Sequence, residues 1–245
     1  MLYVESWNIP GDLNMAIDIE LGELSFELKE PILRIYTWER PTLSIGRHQR
    51  IEKLNLDFLK EIDGECVRRP TGGRAVLHFQ DLTYSVVFPK GLQEFNLGVM
   101  ELYKNISGIF KKAFEMLSYK VEMSKGRGSL KNPSCFSSSA RYELLIDGRK
   151  FMGSAQARMK NFVLQHGSIL LYRKEKMMKA VFGKELNLES MVGIFEVMDV
   201  GVRNLVESIK EAFKERYGVF GMDFGEFLEL IEKSKRRRRS FRCQN

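Results

Sequence analysis

Three short segments of this 245-residue chain hold the residues whose types and spacing suit chemistry. The first is Arg68-Arg69-Pro70-Thr71-Gly72-Gly73-Arg74-Ala75-Val76-Leu77-His78. Adjacent glycines between strand-like runs let backbone approach a ligand without Cβ obstruction, and the N–H groups of such a turn form a concavity for an anion or a carbonyl oxygen. Arg69 and Arg74 flank it. The plain alternative is a Gly-Gly hairpin turn with solvated arginines. The segment matches neither the P-loop nor the dinucleotide-binding GxGxxG pattern, so those routes do not indicate a nucleotide.

The second segment is Gly148-Arg149-Lys150-Phe151-Met152-Gly153-Ser154-Ala155-Gln156. Asp147-Gly148 is a two-residue turn signal, and Lys150 starts the strand after it. Gly153, Ser154 and Ala155 are small, so a ligand tail can lie against this backbone. Lys150 can pair there with a carboxylate, a phosphate or a thiolate. The alternative is a surface lysine on an edge strand. The third segment is Pro133-Ser134-Cys135-Phe136, in a polar loop. A loop thiol is reachable by another macromolecule, and a nearby ammonium raises its ionised fraction. The hairpin reverses the chain, which makes a return of Lys150 toward that loop geometrically reasonable. The alternative for Cys135 is an inert thiol. His166, before Gly167, suits a general base or a satisfied structural histidine, and His48 beside Arg47 reads as a surface residue. No His, Asp and Cys cluster has metal-ligand spacing, so no metal site is expected.

Hydrophobic residues make up 44% of the chain and charged residues 29%, which suits one ordered domain with a real core. No run of about eighteen apolar residues occurs to span a membrane. The first residues lack a basic-then-apolar signal pattern, so a cytoplasmic protein is expected. Cys66, Cys135 and Cys243 lack metal spacing and are expected to stay thiols in a reducing compartment. The net charge is +7 and the pI about 9.2. Such a surface attracts acidic partners, a carrier protein or nucleic acid. Much of the excess lies in Lys233, Lys235, Arg236 to Arg239 and Arg242, read as a solvated, frayed terminus rather than a nucleic-acid-binding tail.

The elements that must position these residues follow from periodicity. Asp12 to Lys29 spaces its apolar residues as a helix, with Asp12 as a cap. Ile32 to Trp38 and Thr42 to Ile45 read as strands, and Leu54 to Ile62 as a short helix. Cys66 to Arg69, Arg74 to His78 and Leu82 to Phe88 are strand-like. Phe95 to Leu117 is a long amphipathic helix, and Val121 to Ser139 a loop. Tyr142 to Ile146 and Lys150 to Met152 form a hairpin, and Phe162 to Tyr172 a strand. Helices follow near Lys174 to Phe182, Val202 to Tyr217 and Phe224 to Lys233. Strands in the middle with helices at the flanks imply an α+β fold, a mixed sheet with helices mainly on one face.

Together the segments Asn14-Met15-Ala16-Ile17-Asp18, Pro41-Thr42-Leu43-Ser44-Ile45-Gly46-Arg47-His48-Gln49, RRPTGGRAVLH and GRKFMGSAQARMKNFVLQHGSILL resemble the biotin/lipoate protein ligase superfamily, in its order and over roughly residues 10 to 175. Asn132-Pro133-Ser134-Cys135-Phe136 before the lysine hairpin is most like the branch that transfers octanoyl groups. The resemblance implies a sheet and flanking helices of the class II aminoacyl-tRNA synthetase and biotin–lipoate ligase kind. It implies a single catalytic domain over 1–217, its motif core about 28–217, with a C-terminal helix and basic tail over 218–245. Cys135 is then the acyl-thioester nucleophile and Lys150 the cation that lowers its pKa. The substrate-binding positions are Arg69, Thr71, Gly72, Gly73, Arg74 and His78, with Gly153, Ser154, Ala155, Gln156, His166 and Gly167. The implied donor is an octanoyl-acyl carrier protein and the acceptor a lipoyl-domain protein such as the glycine-cleavage H protein. No cofactor is implied. An ATP-dependent lipoate–protein ligase or a lipoyl amidotransferase is the alternative on the same scaffold. The Arg-rich tail departs from the family pattern.

Overall fold

The computed structural model describes residues 1–52, 54–126, 141–183 and 186–243. The chain opens with β1 (Leu2–Ile9), α1 (Gly11–Leu28) and β2 (Ile32–Trp38), and β1 and β2 pair in parallel from Leu2↔Ile32 to Ile9↔Trp38. β3 (Thr42–Ile45), α2 (Leu56–Glu61), β4 (Glu65–Arg68) and β5 (Val76–His78) follow, the three strands forming a small sheet with β3 in its centre. Next come β6 (Asp81–Pro89), α3 (Gln93–Asn96), α4 (Val99–Met116) and the short β7 (Glu122–Met123). β8 (Leu144–Ile146) and β9 (Arg149–Lys150) make the hairpin, and β10 (Met152–Arg158) and β11 (Phe162–Leu170) run antiparallel beyond it. The chain closes with α5 (Glu175–Phe182), α6 (Val202–Tyr217), β12 (Phe220–Gly221) and α7 (Phe224–Arg237).

The central sheet has the order β10-β11-β6-β2-β1-β12. It is mixed because α1 carries the chain from β1 back to a parallel β2, whereas β2, β6, β11 and β10 run antiparallel. Side chains alternate across it. Leu33, Ile35, Leu82, Tyr84, Val86 and Phe88 face α4 and α6, in an apolar core with Phe110 and Phe213. Val4, Ile32, Val87 and Leu164 face the other way, with Ile17 of α1 and Phe227 of α7. Helices therefore cover both faces rather than mainly one, since both carry buried side chains that need a partner layer. No described helix is long and apolar enough to cross a membrane.

Other expectations shift. The helix expected over Phe95 to Leu117 is two, parted at Leu97 and Gly98, because Gly98 takes the extended conformation of an N-cap (φ −61°, ψ 154°). Asp12 lies inside α1 rather than capping it, and Pro10 occupies the cap position. β1 and β10 were not expected as strands: β1 has no clean alternation of apolar residues, and β10 is rich in small ones.

The basic tail is not frayed. α7 runs to Arg237, a 3-10 turn follows over Arg238–Phe241, and the segment lies along α1. Arg238 and Arg242 donate to the buried carboxylate of Asp12, at 2.9 and 2.6 Å. Arg237 and Lys233 pair with Glu20 at 2.9 and 3.2 Å. Cys66 and Cys243, expected as separate thiols, are joined in a disulfide, because the returning tail brings their Cα atoms to 5.5 Å.

Candidate active site

α1 is buried almost all round and lays polar side chains against the sheet. Arg34 of β2, fully buried, donates to Asp18 Oδ1 (2.9 Å), Asn14 Oδ1 (2.5 Å), the Asn14 carbonyl (3.2 Å) and Ser6 Oγ (2.9 Å). The Tyr36 hydroxyl donates to Asp18 Oδ2 at 3.1 Å, and His166 Nδ1 reaches the same oxygen at 2.9 Å. Burial pushes the Asp18 carboxyl up, but the hydrogen bond from His166 and the Arg34 charge outweigh it, so Asp18 is held below its ordinary range. Burial, helped by the nearby Arg69 charge, pushes His166 down against the lift from Asp18, and the net direction is down. A neutral His166 therefore donates from Nδ1 to Asp18 and accepts at Nε2 from Thr71 Oγ1, 2.7 Å away.

Thr71 links this network to the Gly-Gly segment. Arg69 Nε donates to Thr71 Oγ1 at 3.1 Å, and its two terminal nitrogens donate to the carbonyls of Ser44, Gly72 and Arg74 at 2.7 to 2.9 Å. The loop is curled around this guanidinium. Gly73 takes a left-handed φ of +92°, and a Cβ on Gly46 would stand 1.9 Å from the Gly73 carbonyl oxygen. Both positions require glycine.

A cavity opens between α1, the sheet and β3–β5, with about 360 Å³ of empty space when open solvent at its mouth is included. Met15, Tyr36, Trp38 and Val76 give it apolar walls, and the nearly bare backbone of Gly153, Ala155 and Gly167 gives it a smooth one. Trp38 stacks on His78 at 3.9 Å between centroids. His78 is held by Ser44 Oγ at 2.8 Å and Asp81 Oδ2 at 2.7 Å. Thr83 and Ser168 also donate to Asp81, and Trp38 Nε1 donates to Thr83 at 2.8 Å. Polar groups behind the wall are thus turned toward one another, which leaves its inner surface apolar.

Of the residues expected to bind substrate, Arg69, His78, Gly153, Ser154, Ala155, His166 and Gly167 line this cavity. Thr71 stands behind it through His166, and Gly72, Gly73 and Arg74 belong to the loop at its side. Gln156 reaches it indirectly: its Nε2 donates to Gln165, Gln165 to the Tyr84 hydroxyl, and that hydroxyl to Ser154 Oγ. Burial pushes Tyr84 up to about 12, so the hydroxyl keeps its proton. Sequence reasoning missed Met15, Tyr36, Trp38, Ser44, Val76, Thr83 and Ser168 as lining residues. Met15, Ser44, Val76 and Ser168 lie within segments that carried the resemblance, which was the available signal.

Lys150 is 1% exposed, not a surface lysine. The turn at Asp147 (φ 49°) and Gly148 (φ 73°) places it on β9. Its backbone pairs with Leu145 on one side and with Ser190 and Val192 on the other, so it is not at an edge. Its Nζ donates to Glu143 Oε1 at 2.7 Å. Lys150 ends β9, and Phe151 parts it from β10, whose Gly153 lines the cavity. Cys135 lies outside the described residues. Among the described residues no His, Cys, Asp and Glu group is placed to hold a metal ion.

Residues 10–219 match the family model of the lipoyl protein ligase A/B catalytic domain. The chain belongs to this family. Within the lipoyl protein ligase A/B family it is similar to Octanoyltransferase LipM of Bacillus subtilis (strain 168), 37% identical over 233 residues that cover 88% of this chain and 84% of the relative. It is 40% identical to Octanoyltransferase LipM of Anoxybacillus flavithermus over 190 residues, 74% of this chain and 68% of the relative. Its fold is shared with a lipoate-protein ligase A solved with ATP, at a TM-score of 0.74 and 22% identity over 98% of this chain and 92% of the other.

Proposed function

We propose that the chain is an octanoyltransferase of lipoate biosynthesis that passes octanoyl through Cys135 to a lysine of a lipoyl domain. The observation that supports it is a buried lysine, Lys150, held beside Glu143 on β9, three residues before Gly153, which on β10 lines an apolar cavity. The relatives named Octanoyltransferase LipM support the same chemistry.

The octanoyl chain lies in the cavity, where each buried CH₂ contributes about 0.8 kcal/mol. The Cys135 thiolate attacks the carbonyl carbon of an octanoyl thioester, and the tetrahedral adduct expels the donor's thiolate, which takes a proton from solvent. The neutral ε-amine of the acceptor lysine then attacks the acyl-Cys135 carbonyl. Cys135 leaves as thiolate, the nitrogen loses its proton to solvent, and the amide remains. Thioester exchange is near thermoneutral and amide formation is downhill, so the cycle needs no ATP. The Lys150 ammonium favours the thiolate and the developing oxyanion. Glu143, 2.7 Å away, holds that ammonium in position in its buried site. The donor is an octanoyl-acyl carrier protein and the acceptor a lipoyl domain of the glycine-cleavage H protein type. Arg69, Thr71, Gly72, Gly73 and Arg74 shape the loop over the reacting carbonyl, and His78, Ser154, Gln156 and His166 hold the cavity open.

The test is intact-mass analysis after incubation with octanoyl-acyl carrier protein. The wild type gains one octanoyl group and Cys135→Ala gains none. Acylation that persists in Cys135→Ala, or lipoyl-adenylate formed from lipoate and ATP, would overturn the proposal. Lys150→Met lowers kcat/KM by about 10²–10⁴-fold. The double variant Lys150→Met/Glu143→Gln recovers stability by removing the stranded carboxylate, but it does not recover activity.

A further inference from the structure

The structure assigns a role to the C-terminal strap: Phe241 backs the thin apolar wall of the acyl cavity and sets the chain length that the cavity admits. The inference takes its substrate from the function proposed above.

The strap is pinned on both sides of Phe241. Before it, Arg238 binds Asp12, and after it Arg242 binds the same carboxylate. Arg242 also bridges to Val67 of β4, and the Cys243 N–H donates to the Cys66 carbonyl at 3.1 Å. The Cys66–Cys243 disulfide closes the loop. These anchors press Phe241, half-buried, onto the cluster of Met15, Tyr36, Trp38 and Val67. Met15, Tyr36 and Trp38 are cavity-lining residues. This one cluster therefore meets the substrate space on one side and the strap on another.

Such a wall is only as firm as what stands behind it. Met15 is unbranched and adapts its shape readily, and it is 1% exposed within the cluster against which Phe241 packs. Removing the Phe241 ring opens room into which Met15 can retreat, lengthening the cavity. Discrimination between chains that differ by one methylene is worth about 10-fold or more in an apolar pocket. Phe241 touches no substrate and is a positioning residue.

The test compares wild type, Phe241→Ala, Phe241→Leu and the unpinned Arg242→Ala. Calorimetry measures binding of octanoate and decanoate, and transfer assays use octanoyl and decanoyl carrier thioesters. Phe241→Ala is expected to raise the decanoyl-to-octanoyl ratio by about 10-fold, chiefly through KM. Phe241→Leu restores most of the wild-type ratio, and Arg242→Ala shifts it the same way by less. A loss of thermal stability with both ratios unchanged would overturn the inference and leave the strap a structural clasp. If Phe241→Ala does not fold, the Phe241→Leu and Arg242→Ala ratios decide. If the wild type binds the fatty acids but does not transfer from the thioester, the proposed function fails while the binding ratios still judge the strap.

Discussion

The two faces of the central sheet are both buried, yet they are built from different chemistry. Toward α4 and α6 the sheet presents Leu33, Ile35, Tyr84, Val86 and Phe88 to an aromatic-rich layer containing Phe110, Phe114 and Phe213. Toward α1 it presents Ser6, Arg34, Tyr36, Thr83 and His166, and α1 answers with Asn14 and Asp18. The apolar face gains by area alone and tolerates small shifts in register of its side chains. The polar face must satisfy each group in direction as well as number, because a buried donor or acceptor without a partner is costly. That demand makes the second face stiff. A stiff wall lets a cavity keep its shape while empty, and the cavity lies on this face.

Equal damage to the two faces should therefore have unequal consequences. Asp18→Asn leaves Arg34 buried without its carboxylate at 2.9 Å, a loss of about 3–5 kcal/mol. It also loosens His166 and Tyr36, so octanoate binding falls with stability. Phe213→Ala on α6 removes a fully buried ring, also at about 3–5 kcal/mol, but octanoate affinity below its melting temperature stays near wild type. Urea unfolding and calorimetry on the two variants check both halves. Equal losses of affinity would show that the cavity depends on overall stability rather than on the polar face.

The difference between the faces also explains what could be read from the residues. Thr42–Ile45, Ile32–Trp38 and Val202–Tyr217 carry strong local patterns, and they fold where those patterns place them. Gly153 to Gln156 and Gln165 to Gly167 were legible through resemblance, as their small and polar residues recur in order. The burial of Lys150 was not legible, because the backbone that covers it comes from Ser190 to Val192, far along the chain. The tail misled for a similar reason. A run of Lys and Arg reads as solvated, and its partners Asp12 and Glu20 lie more than two hundred residues earlier on a helix with little amphipathic contrast. Met15 and Trp38 are not among the candidate site residues, and only the packed structure shows the space on their inner side.

A smaller perturbation probes the smooth wall. On Gly167 a Cβ would stand 2.5 Å from Ser154 Oγ and 2.6 Å from the Gly153 carbonyl oxygen, one of them backbone that cannot swing aside. Gly167→Ala should cost about 1–3 kcal/mol in stability. It also drives β11 away from β10 at the cavity, so KM for the octanoyl donor rises. Unchanged KM with lowered stability would place the strain outside the cavity.

The smallest effect, and the most diagnostic of the polar face, is a pH dependence. His166 is pushed below its ordinary pKa by burial, against the pull of Asp18, whereas in the unfolded chain a histidine titrates near about 6.5. Below that pH the unfolded state binds a proton that the folded state refuses, so stability rises with pH there and falls as the solution is acidified. The contribution is fully present above about pH 6.5 and declines by up to about 1.4 kcal/mol per pH unit below it, until the folded pKa is reached. Between pH 7 and 5.5 the wild type should lose roughly 1 kcal/mol more than His166→Asn, read from urea midpoints at each pH. A variant that loses as much as the wild type would mean that His166 takes up its proton in the folded state. The carboxylate of Asp18 would then hold an imidazolium, and the cavity lining would carry a second cation beside Arg69.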